Sequence, residues 1–244
     1  SPIDLRPKFL WYKPHVTLIS GIAWDHINVF PTEEDYVKQF ETYIDSIVPG
    51  GVLVYNEADS VLEKITDASQ NTIRKESYNL PEHFIEEGVT YLTTDEGDLP
   101  LEVFGKHNLS NIAGAKWICQ LMGVDEADFL EAIAGFKGAS KRLEKIGDNG
   151  SSFLFKDFAH APSKVKATSE AVALQFNKQN KVFCLELHTY SSLNPEFIGQ
   201  YKNALSAANE AGMGAPPGDD DFMGADLDGA GDHNMDEPSV EEVD

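Results

Sequence analysis

The chain has 244 residues, of which 41% are hydrophobic, and it carries a formal net charge of −22 at pH 7. This length and apolar content suit one large domain or two small ones. The negative charge argues against non-specific binding to nucleic acid, which requires cationic side chains on the phosphates. Half of the charge is local, because residues 213–244 contain 11 Asp and Glu and no Lys or Arg.

The sequence carries no signature of membrane insertion or secretion. No apolar run reaches the length of a transmembrane helix, and no signal peptide is visible. Cys119 and Cys184 each lie within an apolar run. We expect both to be buried free thiols, because two isolated cysteines give no disulfide framework. These features predict a cytoplasmic location.

The first third of the chain predicts a strand–helix–strand unit. Residues 15–23 are apolar and β-branched, which is typical of a buried strand. Thr32 begins a capping-box-like pattern, and an apolar stripe with helical spacing follows over 36–48. A Pro-Gly-Gly sequence ends this helix, and 52–55 predicts another strand. Such a unit normally implies parallel pairing with a right-handed crossover.

Asp25 and His26 follow the end of the first predicted strand. Open α/β sheets bind ligands at the carboxyl ends of their strands. A carboxylate beside an imidazole at that edge can hold a divalent cation or position a phosphate. The structural alternative is an aspartate that caps a turn and a histidine that packs.

Residues 105–111 read Gly-Lys-His-Asn-Leu-Ser-Asn and supply a glycine turn, an imidazole and two amides three residues apart. We predict that Asn108 is the N-cap of the helix that follows, since its side-chain oxygen can accept from an orphan backbone N–H. Apolar residues then recur at helical spacing as far as Leu121. The structural alternative is a capped core helix with no ligand.

The pattern changes near Ser140, where we place a domain boundary. Before it, Asp125 caps a predicted helix over 125–136, in which Phe129 and Phe136 point inward. After it, four elements predict a second α/β unit: a hairpin over 143–158, a helix over 164–176, a strand over 181–187 and a helix over 195–208.

The last segment, 211–244, is rich in Gly, Asp and Pro and poor in large apolar residues. Such a composition predicts a disordered acidic tail. The tail ends in Glu241-Glu242-Val243-Asp244, which resembles the end of heat-shock chaperones. That resemblance implies docking into a tetratricopeptide-repeat partner through the terminal carboxylates. The alternative is a solvated acidic tail without a partner.

The polar residues that suggest chemistry fall into four short elements. No element is specific alone, but their order and separations form a set. The elements are Asp25-His26, Gly105-x-His107-Asn108-x-x-Asn111, Gly135-Phe136-x-Gly138 followed by Arg142, and Asp157-Phe158-Ala159-His160.

This set resembles the Mur ligase family, the ATP-dependent amide ligases of peptidoglycan synthesis, over residues 1–210. The resemblance implies an α/β fold with part of a Mur ligase central domain over 1–140 and part of a Rossmann-like C-terminal domain over 141–210. The wording of 187–194 resembles the murein peptide ligases of cell-wall recycling, which are similar to UDP-N-acetylmuramate–L-alanine ligases. In this family ATP phosphorylates a carboxylate, and an amine attacks the acyl phosphate.

The resemblance also implies substrates and residue roles. The substrates are UDP-N-acetylmuramate and an amino acid or tripeptide, with ATP and Mg²⁺ as cofactors. The implied roles are magnesium binding for His26, adenine recognition for Asn108 and Asn111 with His107 beside them, nucleotide contact for Arg142, ribose binding for Asp157 and contact with the amino substrate for His160.

One departure from the family weighs on activity. The 244 residues contain no Gly-x-x-x-x-Gly-Lys-Ser/Thr sequence, the loop whose backbone cradles phosphates. We therefore expect that the chain is not a competent ligase by itself. The alternative function is that of a non-enzymatic fusion whose tail binds tetratricopeptide-repeat co-chaperones.

Overall fold

A computed structural model of the chain describes residues 6–24, 29–186 and 199–206. All of these residues lie in one compact unit, Ser1–Ala211. His26 and the acidic tail lie outside the described residues, so the magnesium role of His26 and the tetratricopeptide partner of the tail stay predictions. None of the described helices is both long and apolar enough to span a bilayer.

The α/β class is confirmed, and the predicted strand–helix–strand unit forms a parallel sheet. Strand β1 (Val16–Ile19) pairs in parallel with β2 (Val52–Asn56), with helix α1 (Glu33–Ser46) between them. Helix α2 (Ser60–Ala68) and strand β3 (Arg74–Tyr78) extend the sheet in the order β1-β2-β3. The predicted cap is present, since the Thr32 hydroxyl oxygen accepts from the Asp35 backbone N–H at 3.1 Å.

A small antiparallel sheet and two helices follow. The sheet is β4 (His83–Glu86), β5 (Val89–Thr94) and β6 (Gly97–Leu101), and the helices are α3 (Lys106–Leu121) and α4 (Glu126–Ala134). Their apolar faces form one core, whose buried members are Leu92, Leu101, Val103, Leu109, Ile112 and Phe129.

The prediction that Asn108 caps α3 is wrong. The helix begins at Lys106, and its N-cap is Gly105 with φ = 91°. Asn108 lies inside the first turn, where its amide donates to the backbone oxygen of Phe104 at 2.9 Å. Because glycine tolerates a positive φ, the chain turns into the helix three residues earlier than a capping asparagine would allow.

The C-terminal part contains a hairpin and a long helix. Strands β7 (Glu144–Asp148) and β8 (Phe153–Lys156) pair antiparallel, as the hairpin prediction requires, and helix α5 is Pro162–Gln175. The predicted strand over 181–187 is not formed over 181–186, because no neighbouring described strand bonds to these residues. Of the predicted helix over 195–208, the structure describes only 199–206, with a 3-10 turn at Gly199–Tyr201. Cys184 is exposed and Cys119 half-buried, so neither is the buried thiol that we expected.

Helices α3 and α5 meet where a side chain would not fit. A Cβ added to Gly105 would lie 2.6 Å from the Cβ of Ala171 on α5, which is far closer than two carbon atoms approach. An aromatic cluster continues the contact, with Phe104 edge-on to both Phe155 and Phe176 at 5.6 Å between ring centroids. Gly105 is therefore required both for its backbone angle and for helix packing.

We predict that Gly105→Ala lowers the free energy of unfolding by about 2–5 kcal/mol, because backbone strain and overpacking add. Gly123→Ala, at the other end of α3, is the matched control. Gly123 also has φ = 90°, but nothing lies within 4 Å of its added Cβ, so we expect only about 1–2 kcal/mol. Urea unfolding of both variants measures the difference. Equal losses would contradict a steric role for Ala171.

Candidate functional site

A cavity of about 520 Å³ opens between the start of α3, the start of α5 and the connector, residues 135–143, that joins α4 to β7. Its volume falls in the range of small-molecule sites. Its lining combines apolar side chains with polar and charged groups. Its lining includes Val103, His107, Asn108, Asn111, Ile112, Ala115, Ile133, Phe136, Arg142, Asp157, Lys164, Ala167 and Thr168.

Three of the predicted site residues reach the cavity from one helix. His107, Asn108 and Asn111 lie in the first two turns of α3, where residues three and four apart share a face. The Asn108 amide is partly engaged, since it donates to Phe104. Asn111 is exposed, and its side chain makes no hydrogen bond within the described part of the chain. Asn111 therefore has donor and acceptor groups available for a ligand.

Asp157 lines the cavity and also holds its wall together. Oδ1 accepts from the backbone N–H of Leu143 at 3.2 Å and of Phe158 at 2.8 Å. Oδ2 accepts from the Thr168 hydroxyl on α5. One carboxylate thus joins the connector, the end of β8 and helix α5 at the edge of the cavity.

The connector has an unusual backbone. Gly138, Lys141 and Leu143 have φ values of 91°, 59° and 48°, and the last two are uncommon for residues with side chains. The Lys141 backbone N–H donates to Glu144 at 2.7 Å. This folded connector carries Arg142 to the cavity, with its guanidinium 5.8 Å from the centre of the Phe158 ring.

His107 brings a buried ring nitrogen to the site. Its Nδ1 atom is buried and has no hydrogen-bond partner among the residues that the structure describes. Burial lowers the pKa of His107 below its ordinary value, and the nearby Asp157 carboxylate offsets part of this effect. The imidazole is therefore neutral at pH 7 and can donate or accept one hydrogen bond at each nitrogen.

Of the predicted site residues that the structure describes, His160 is not brought to this cavity. His160 is absent from the cavity lining, and its Nδ1 lies 2.9 Å from the backbone oxygen of Phe158. The backbone oxygen of His160 accepts from the hydroxyl of Tyr201. His26 lies outside the described residues. Among the described residues, no three His, Cys, Asp or Glu side chains are grouped as metal ligands.

The predicted site residues do not include an aromatic ring, a cation and a hydroxyl that line the cavity, those of Phe136, Lys164 and Thr168. Phe136 was predicted to point into the core, but it follows the end of α4, is 45% exposed and lines the cavity. Lys164 and Thr168 occupy the first two turns of α5 and face the same space. The only signal for them was their position one helical turn apart, directly after the segment that contains Asp157. Lys164 and Arg142 give the cavity two cations in a chain with a charge of −22.

The chain is similar to known proteins over most of its length. Residues 6–119 match the Mur ligase middle domain. The chain is 28% identical over 226 residues to a UDP-N-acetylmuramate–L-alanine ligase of Mycobacterium ulcerans, a match that covers 82% of this chain and 46% of that protein. The chain thus spans about half the length of this curated relative.

Solved structures share the fold. A UDP-N-acetylmuramate–alanine ligase from Thermotoga maritima superimposes with a TM-score of 0.60 and 18% identity, covering 82% of this chain and 45% of that one. A MurF ligase from Thermotoga maritima, solved in complex with ADP, gives a TM-score of 0.53 and 18% identity over 66% of this chain and 39% of that one. At these identities the likeness shows the fold alone.

We predict that His107 makes the stability of the chain depend on pH. Its pKa is lowered on folding, so near pH 6.5 the unfolded chain binds a proton that the folded chain does not. The free energy of unfolding is fully retained above that pH and falls as the pH drops through it, until the folded pKa is reached. Urea unfolding of the wild type and of His107→Gln across this window measures the effect. Parallel pH curves for the two proteins would contradict it.

Proposed function

We propose that the cavity binds ATP for an amide ligase of peptidoglycan synthesis or recycling, because residues 6–119 match the Mur ligase middle domain. The observation that carries the proposal is convergence. Side chains from three separate segments, at 107–111, at 142 and at 157, line one cavity. The resemblance to the Mur ligase family implies nucleotide contacts at these same positions.

The chemistry of the cavity fits a nucleotide. Val103, Ile112 and Ile133 offer apolar surface to a planar base, and the Asn111 amide can pair with its edge. The buried Nδ1 of His107 lacks a partner in the described part of the chain, and a polar ligand atom would satisfy it. Arg142 and Lys164 supply positive charge for phosphate oxygens.

Asp157 remains a proposed contact of the ribose. Both of its oxygens already accept hydrogen bonds from protein groups, but each carboxylate oxygen has more than one acceptor site. A ribose hydroxyl can therefore donate to Asp157 without breaking the bonds that hold the connector. In this proposal the main role of Asp157 is to hold the connector in place, and its additional role is to accept a hydrogen bond from the ribose.

The parent reaction that we propose joins an amino acid or peptide to UDP-N-acetylmuramate in the cytoplasm, through an acyl phosphate. When bound, Mg²⁺-ATP supplies the phosphoryl group that activates the carboxylate. Within the described residues, Arg142 would hold phosphate oxygens. His26, outside the described residues, would contact the metal, and His160 would face the amino substrate.

We predict that Asn111→Ala weakens ADP binding about fivefold to tenfold, which corresponds to the loss of one hydrogen-bonding group. Asn111 is a sharper probe than Asn108, since Asn108→Ala also removes the bond to Phe104. Asn177→Ala, an exposed substitution beyond the end of α5, is the matched control and should bind ADP as the wild type does. Calorimetric titration in magnesium buffer measures the three affinities. Unchanged affinity of Asn111→Ala would refute the assigned site.

We also expect that the 244-residue chain does not turn over ATP by itself. The sequence contains no Gly-x-x-x-x-Gly-Lys-Ser/Thr loop to hold the phosphates for transfer. The assay follows phosphate release with UDP-N-acetylmuramate and either L-alanine or a tripeptide. Product-coupled release well above the rate without enzyme would contradict this expectation, although it would leave the nucleotide site in place.

A further inference from the structure

We propose that Gln175 is a positioning residue that fixes α5, and with it the α5 wall of the cavity, through two hydrogen bonds to the hairpin of β4 and β5. The proposal rests on the nucleotide site proposed above for its binding test, but its structural part stands without a nucleotide. Gln175 lies at the end of α5 and is only 6% exposed.

Both polar groups of the Gln175 side chain are used. Its Oε1 accepts from the hydroxyl of Thr90 at 2.8 Å, and its Nε2 donates to the backbone oxygen of Gly88 at 2.6 Å. Thr90 is 1% exposed, so the first bond is fully shielded from water. These contacts join residues 85 and 87 positions apart. Because both hydrogen bonds are directional and lead to the same hairpin, they fix the position of α5 along its own axis and its rotation about that axis.

The position of Gln175 on the helix connects it with the cavity. Thr168, Ala171 and Gln175 are three and four residues apart, so they share one face of α5. Ala171 is the contact point with α3, where Gly105 leaves no room for a side chain. Thr168 lines the cavity and donates to Asp157.

In this arrangement, Ala171 is the point about which α5 can tilt. Measured along the helix from Ala171, Thr168 is about 4.5 Å to one side and Gln175 about 6 Å to the other. Once the Gln175 bonds are lost, a tilt about Ala171 moves Thr168 by a comparable amount in the opposite direction. Because Thr168 is bonded to Asp157, the carboxylate and the connector follow. The bonds of Gln175 thus hold the cavity wall from the end of the helix that lies outside the cavity.

Another buried bond of the same helix provides the matched control. Ser169 is 1% exposed, and its hydroxyl donates toward two backbone oxygens, that of Ala204 at 2.8 Å and that of Lys166 at 2.9 Å. Ser169→Ala therefore removes a shielded hydrogen bond from α5 as well, but from the face that meets residues 199–206 and not the β4–β5 hairpin. A purely structural role for Gln175 predicts the same behaviour for both variants.

The test compares Gln175→Met, Thr90→Val and Ser169→Ala in the full 244-residue chain. The pKa of His107 is followed by NMR titration, with the His107→Gln spectrum for assignment, and ADP affinity is measured by calorimetry. We expect Gln175→Met and Thr90→Val to return the His107 pKa toward its ordinary value and to weaken ADP binding roughly fivefold, a size typical of coupling between contacting groups. Ser169→Ala should change neither quantity.

The double variant Gln175→Met/Thr90→Val should bind ADP no more weakly than Gln175→Met alone, because both substitutions remove the same contact. The proposal is overturned if Gln175→Met leaves the His107 pKa unchanged, or if Ser169→Ala shifts it equally. Should Gln175→Met fail to fold, Thr90→Val decides on the same criteria. Absence of ADP binding in the wild type would refute the proposed function only, because the His107 titration then decides the role of Gln175.

Discussion

The close approach of α5 to the first turn of α3 is the contact on which the rest of this structure depends. It requires a residue without a side chain at Gly105, where a Cβ would lie 2.6 Å from Ala171. The same glycine sets where α3 starts, and so which of its side chains face the cavity. One steric condition therefore decides the position of His107 and of the two asparagines relative to Asp157.

Around this contact, the polar groups divide into those that build the cavity and those that remain available to a ligand. Asp157 accepts hydrogen bonds from Leu143, Phe158 and Thr168, so its main role is to hold the cavity wall together. Asn111 and the buried nitrogen of His107 have no such partners within the described ranges. A site with this division presents a firm frame and a few unsatisfied groups, which is what recognition of a polar ligand needs.

Much of the fold follows from local sequence signals, as the caps show. Thr32 and Asp125 each accept from a backbone N–H three residues ahead, so a segment of four residues contains the whole interaction. The start of α3 was misplaced because Asn108 has the same local signal, while the deciding contact comes from Ala171, more than sixty positions away. Five residues of the cavity, His107, Asn108, Asn111, Arg142 and Asp157, are indicated by the family resemblance and not by a local pattern. Their supports, such as Gln175 with Thr90, join distant segments and leave no mark in a window of sequence.

The connector between α4 and β7 has a consequence for how this sequence can vary. Surface loops usually accept insertions and deletions, because their backbone groups face water. Here Gly138, Lys141 and Leu143 have positive φ values. Carboxylates accept hydrogen bonds from the backbone N–H groups of Lys141 and Leu143. Adding or removing one residue would place a different backbone N–H opposite each carboxylate and would move Arg142 away from the cavity. The length of the connector is therefore constrained. During evolution it should accept substitutions but neither insertions nor deletions.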